Sequence, residues 1–166
     1  MIIQEKKHRS PLELYKGIIR ATFTVCTKNN VLLFTNDEVV KVFVENLRIS
    51  NEKYQILNWC YVFIPDHLHI LNEGKSERSD LLKGMRLFKQ YCGYYLSKRY
   101  TQPKGCGYQI ELQKDYYDHI HRKEEDLIKH IRYLLNNPVR KGLVERWHDY
   151  RFRGPLDYNL MEIIEG

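Results

Sequence analysis

A chain of 166 residues is long enough for one domain that buries roughly 70% of the surface of its unfolded form, and short for two. Its 43% hydrophobic and 29% charged content excludes a disordered or low-complexity polypeptide, and no segment has the ~18 apolar residues of a membrane span. A net charge of +6 serves solubility and also favours a polyanionic partner. Thirteen tyrosines strengthen the second reading, because rings interleaved with Lys and Arg, as in Tyr91, Tyr94, Tyr95, Lys98, Arg99 and Tyr100, give stacking surfaces beside phosphate contacts. Some of those rings must also face the core. The four cysteines, Cys26, Cys60, Cys92 and Cys106, contain no Cys-x-x-Cys pair, so neither a disulfide nor a zinc ribbon is expected. Met1 to Arg9 lacks the apolar core of a signal peptide, which leads to the expectation of a cytoplasmic, nucleoid-associated protein.

In chain order, residues 18–26 alternate in part, Phe23 and Val25 against Thr22 and Thr24, which predicts a half-buried strand ended by Lys28-Asn29-Asn30. Thr35 followed by Glu38 fits a capping box, and Val39, Val40, Phe43, Val44 and Leu47 carry an amphipathic helix to about residue 50. Residues 54–64 are aromatic and β-branched. Pro65-Asp66 then breaks the chain before a strand from His67 to Asn72, so these two runs predict a hairpin. Ser79 is placed to cap a second helix to about residue 98, with Leu81, Leu82, Met85, Phe88, Cys92, Tyr95 and Leu96 as its stripe and Gly84 and Gly93 weakening it. A fourth strand is expected near Tyr108 to Leu112, followed by a polar-aromatic segment from Lys114 to Arg122. A third helix runs from about Glu124 to Asn136, ended by Asn137-Pro138 because a residue before proline is pushed out of helical geometry.

This order predicts an α+β fold, a ferredoxin-like split βαβ sandwich with a C-terminal helical extension. We expect a single domain over 1–166, with its core at about 17–153 and an irregular tail from 145 onward. Two helices should cover one sheet face and leave the other open to a linear ligand.

Two residues apart on a strand, His67 and His69 leave the sheet on the same side, while Leu68 and Ile70 point to the opposite face. Two adjacent imidazoles suit a metal ion, but such a pair is as often structural and needs a third ligand. Position 71 is leucine, which removes the Asp or His that a zinc hydrolase or a histidine-triad hydrolase would place there. On the third helix, Leu127, Ile131, Leu134 and Leu135 form the buried stripe, and Asp126, His130, Tyr133 and Asn137 fall on a different face. Tyr133 and Asn137 stand one turn apart. Taken alone, Tyr133 reads as a partly buried amphipathic residue and Asn137 as a helix-end residue. The histidine pair is what makes them candidates. His119, His121 and His130 read first as structural or exposed residues, and second as aids to proton transfer.

Over residues 17–153 the chain resembles the single-tyrosine HUH transposases, and within them the REP-associated tyrosine transposase branch. The resemblance rests on Ala21-Thr22-Phe23-Thr24-Val25, Ile64-Pro65-Asp66-His67-Leu68-His69, Tyr116-Tyr117-Asp118-His119, and the run from Arg132 to Val144 containing Asn137-Pro138-Val139 and Gly142-Leu143-Val144. It implies that His67, His69 and Asn137 hold a metal, Mg²⁺ or Mn²⁺, and that Tyr133 is the nucleophile. A further implication is a DNA endonuclease and strand transferase acting beside single-stranded hairpins such as REP elements or insertion-sequence ends, through a 5′-phosphotyrosine. A monomer is expected, as in the REP-associated branch, with a dimer as the alternative. Leu112-Gln113 departs from the Trp-Gln common in relatives. A tyrosine hydroxyl with a pKa of about 10 needs nearby positive charge to react at neutral pH, which a divalent ion held by neutral ligands would supply. Arg132, Arg140, Lys141, Arg151, Arg153, Lys83, Arg86 and Lys89 are candidates for DNA contacts. The competing expectations are a domesticated, non-catalytic hairpin-binding protein and an RNA-binding module using Tyr61 and Phe63.

Overall fold

The computed structural model describes residues 10–100 and 109–166; Cys106 and most of the segment around Tyr108 lie outside them. The hydrophobic alternation of the sequence becomes a five-stranded antiparallel sheet made of β1 (Arg20–Cys26), β2 (Ile56–Ile64), β3 (His67–Gly74), β4 (Tyr117–Ile120) and β5 (Arg153–Gly154), in the order β4-β1-β3-β2-β5. The first four follow the predicted ferredoxin-like order. Across one face lie α1 (Asp37–Lys53) and α2 (Leu81–Arg99). Ala21, Phe23, Val25, Phe63, Leu68 and Ile70 from the strands meet Phe43, Leu47, Met85, Phe88 and Leu96 from the helices in the larger core. Phe34, Phe43, Phe63 and Phe88 form a chain of edge-to-face rings there, with centroids 5.0–6.0 Å apart along it.

Local chemistry shifts several boundaries. Helix α1 is capped by Asn36, whose Oδ1 accepts from the amides of Glu38 and Val39, and not by Thr35. Helix α2 is capped by Asp80, accepting from the Lys83 amide. Ser79 instead donates to the Gln55 carbonyl and so ties the helix entry to the end of α1. Gly84 is where the helix meets the sheet, since a Cβ there would stand 2.3 Å from Ile56 Cδ1. It is an adaptation to close packing as well as a weakness in the helix.

The fourth strand is not at the described residues 109–112. Leu112 makes only a single bridge to Thr27, and the Gln113 amide donates to the Cys26 carbonyl, which settles the Leu112-Gln113 departure into the edge beside β1. The strand that completes the sheet lies in the polar-aromatic segment, at Tyr117–Ile120. Its period was hidden because Asp118, which faces the first core, accepts a hydrogen bond from the buried Tyr15 hydroxyl.

The second sheet face is not open. Helix α3 (Leu127–Leu135) crosses β2 on that side, and Ile131, Leu134 and Leu135 pack with Cys60, Val62, Ile64 and Leu71 into a second core. Residues 145–166 are ordered into that layer. Tyr150, Leu160 and Ile164 join the second core, β5 pairs with β2, and α5 (Leu160–Glu165) closes the end. Asn137 does not end a helix. After Asn136 the chain makes one further turn, α4 (Asn137–Arg140), with Pro138 near its start, where a missing amide costs nothing.

A bulge between Asn58 and Cys60 reverses which face of β2 takes which residues. It sends Val62 and Ile64 to the side of His69 and His67, and Tyr61 and Phe63 to the first core. Phe63 is fully buried beneath α1, so the aromatic platform of an RNA-binding sheet is absent at these positions. At the far end of β3, Gly74 packs against the turn at Gly17, and an added Cβ would come within 1.9 Å of the Gly17 carbonyl oxygen. Gly74→Ala is therefore expected to destabilise the fold by roughly 1–3 kcal/mol, because backbone must move. An unchanged urea midpoint would contradict that close approach.

Candidate active site

Strand β3 places His67 and His69 on the second face, with ring centroids 4.9 Å apart and planes nearly perpendicular. Each ring is fixed through Nδ1. His67 Nδ1 donates to Asp66 Oδ1 at 2.6 Å, and His69 Nδ1 shares a hydrogen bond of 2.9 Å with Thr24 Oγ1 on the neighbouring strand. The register makes the second contact, since Thr24 is the cross-strand partner of His69. Both rings thus keep Nε2 for a metal, with an orienting partner behind each. Burial, with the neighbouring His67, Arg140 and Lys141 adding to it, pushes the His69 pKa down to about 4. Its imidazole is neutral at physiological pH, the form that binds metal.

Helix α3 is held by its apolar stripe so that Tyr133 faces outward, with 59% of its surface exposed. The Arg140 guanidinium lies 4.1 Å from the centre of the Tyr133 ring, donates to the Tyr133 carbonyl at 3.1 Å and to Asn137 Oδ1 at 2.7 Å. One arginine therefore joins the predicted nucleophile to the predicted third ligand. Asn137 makes no hydrogen bond to either histidine, and its Oδ1 is occupied by Arg140. The His67–His69 pair comes together as expected, whereas Tyr133 and Asn137 form a second group connected to it by the charge of α4 on His69.

Several candidate DNA contacts have structural duties. Arg132 donates to the Ile164 carbonyl, Arg153 to those of Trp147 and His148, and Lys89 to that of Gln113. Arg151 pairs with Asp37 at 2.8 Å and Lys83 lies 4.0 Å from Asp80. Arg140 and Lys141 are the cations that stand beside Tyr133 and His69.

A group of ligands that the sequence reading missed lies two strands away. His119, His121 and Glu125 bring one donor atom each to within 4.8 Å of one another, close enough to hold a metal ion. A second His-x-His spacing at 119–121 was the available signal. His130 sits beside them, its ring 4.1 Å from that of His121 and 6.1 Å from that of Tyr133.

No family model matches the chain. Over 142 residues, 78% of this chain and 76% of the relative, it is 24% identical to a Haemophilus influenzae protein described as a "putative REP-associated tyrosine transposase". A solved structure of a REP-associated tyrosine transposase bound to a REP hairpin superposes with a TM-score of 0.69 at 21% identity, covering 89% of this chain and 81% of that one. This chain has the REP-associated tyrosine transposase fold. A Deinococcus radiodurans structure described as a "putative transposase" matches less closely, with a TM-score of 0.52 and 16% identity over 82% of this chain and 96% of that one. The resemblance first carried by short motifs thus extends over most of the transposase fold, in sequence and in backbone.

Thr24 tests the site from behind the histidine pair. Thr24→Val keeps a β-branched side chain in the strand but removes the partner of His69 Nδ1. It should lower Mn²⁺ affinity about 10- to 100-fold in a calorimetric titration, with the thermal midpoint of the metal-free protein little changed. Unaltered affinity would remove Thr24 from the site.

Proposed function

We propose that this protein is a metal-dependent single-stranded DNA endonuclease and strand transferase that acts beside DNA hairpins and uses Tyr133 as its nucleophile. The observation that carries the reading is the exposed Tyr133 phenol under Arg140, which also binds Asn137 and adds positive charge to the histidine pair. The similarity to REP-associated tyrosine transposases, one of them bound to a REP hairpin, supports hairpin DNA as the ligand class.

The donor set fits the implied metal. Two imidazoles presenting Nε2, each oriented through Nδ1, form half of such a site. Asn137, whose Oδ1 accepts from Arg140, would be the third donor, and a neutral amide oxygen with imidazole suits Mg²⁺ or Mn²⁺ with open positions. When bound, the ion supplies positive charge to the scissile phosphate and to the charge that develops there.

The protein's own groups account for the rest. Tyr133 Oη attacks phosphorus and loses its proton; the bond from phosphorus to the 3′ oxygen breaks, leaving a 3′-hydroxyl and a 5′-phosphotyrosine. Arg140, beside the phenol, meets the anionic phosphodiester and orients it. The covalent bond keeps the energy of the phosphodiester, so a 3′-hydroxyl from another strand reverses the step without ATP. Lys141 adds charge on the same side. Within one chain Arg140 stands against Tyr133 and adds its charge to His69, which supports a monomer.

Labelled single-stranded hairpin oligonucleotides from the flanks of the gene, incubated with Mn²⁺ or EDTA and run on a denaturing gel, test this reading. Wild type should give a metal-dependent covalent band, and Tyr133→Phe should bind the hairpin but give none; cleavage by that variant would refute the assignment. His67→Ala should lose metal affinity together with cleavage. Asn137→Ala should weaken both less severely, and full activity there would move the third ligand elsewhere. Hairpin binding without an adduct at any flank or metal would favour the non-catalytic DNA-binding reading.

A further inference from the structure

The group at the end of β4 differs from the His67–His69 pair in chemistry and in place. His121 is the most confined member, with 1% of its side chain exposed. Its Nε2 lies 2.7 Å from Thr22 Oγ1, whereas its Nδ1 is buried without a hydrogen bond and faces the Glu125 carboxylate at 3.5 Å. A buried nitrogen without a hydrogen-bond partner is costly unless something completes its environment. His119 Nε2 reaches the same carboxylate at 3.0 Å. The Arg122 amide donates to Glu125 Oε1 at 3.0 Å, so backbone sets the direction of the acid.

These separations match a metal polyhedron. With metal–ligand bonds of about 2.0–2.1 Å, neighbouring donors in a tetrahedral site stand about 3.4 Å apart. The two donor pairs here measure 3.0 and 3.5 Å, and the third is within 4.8 Å. Thr22 orients His121 from behind and also contacts His130 Nε2 at 3.1 Å, the kind of outer partner that metal-binding imidazoles use. A surface cavity of about 540 Å³ lined by Glu125, Lys129, His130 and Tyr133 borders the group on the Glu125 side.

We propose that His119 Nε2, His121 Nδ1 and Glu125 form a second metal site, separate from the His67–His69 pair and selective for a zinc-class divalent ion. Two imidazoles and one carboxylate suit Zn²⁺ or Co²⁺ better than Mg²⁺. The two groups stand apart on the sheet. Strand β1 lies between β3 and β4, and His69 pairs with Thr24 while His119 pairs with Thr22, which puts their backbones about 12 Å apart by strand spacing and rise. The ligands span the end of β4 and the loop that enters α3. A bound ion would therefore fasten the helix carrying Tyr133 to the sheet edge, a positioning role away from the reacting atoms.

The test is a Co²⁺ titration of the full metal-stripped chain, read by visible absorption, in the His67→Ala/His69→Ala background. That background makes the result independent of whether the first pair binds metal. One equivalent of Co²⁺ should still bind with a tetrahedral spectrum and should raise the thermal midpoint. Adding Glu125→Gln or, at an exposed ligand, His119→Gln should weaken Co²⁺ at least about 10-fold, with the metal-free circular dichroism unchanged. Absence of a tetrahedral Co²⁺ signal in the double variant, or equal affinity after either added substitution, would overturn the site.

Discussion

The antiparallel ladder that holds β3 between β1 and β2 is the constraint on which the rest depends. Side chains alternate along a strand, so one register assigns Leu68 and Ile70 to the core under α1 and α2 and sends His67 and His69 to the other face. A slip of one residue would bury two imidazoles and expose two aliphatic chains. The same pairing delivers Thr24 to His69, and the bulge in β2 brings Val62 and Ile64 opposite the histidines to receive α3. The placement of the histidine pair and the apolar packing thus rest on one set of backbone hydrogen bonds.

The second layer follows from that face being apolar at β2 and polar at β1 and β4. Helix α3 lays Ile131, Leu134 and Leu135 over the apolar half and leaves Tyr133 and His130 toward the polar half. Tyr150 and α5 fill the remaining apolar surface, and the Tyr150 hydroxyl donates to the Phe63 carbonyl beside the β5 contact. Arg140 then bridges Tyr133 and Asn137 across the junction of α3 and α4. The residues proposed for chemistry therefore stand at the border between the second core and the histidine-lined half of the sheet.

Strong periodicity made α1, α2, β1, β2 and β3 legible, because each has one face committed to the first core. The misplaced strand β4 and the tail had weaker signals. Tyr117–Ile120 carries a half-buried acid whose partner, Tyr15, is about a hundred residues away, and the tail contributes single apolar residues at long intervals. Helix caps moved by one residue because Asn, Asp, Ser and Thr are close competitors, and the winner depends on which side chain can reach the free amides.

By itself the sequence determined the βαββαβ order, the common side of His67 and His69, and the placement of Tyr133 off the buried stripe of α3, since these follow from periods of 2 and 3.6 within continuous segments. Only the tertiary structure decided that the second sheet face is covered, that Arg140 joins Tyr133 to Asn137, and that His119, His121 and Glu125 converge with His130 behind Thr22. Those are contacts between elements, fixed by which strands are neighbours and by where the bulge turns β2, and a local pattern carries no record of either.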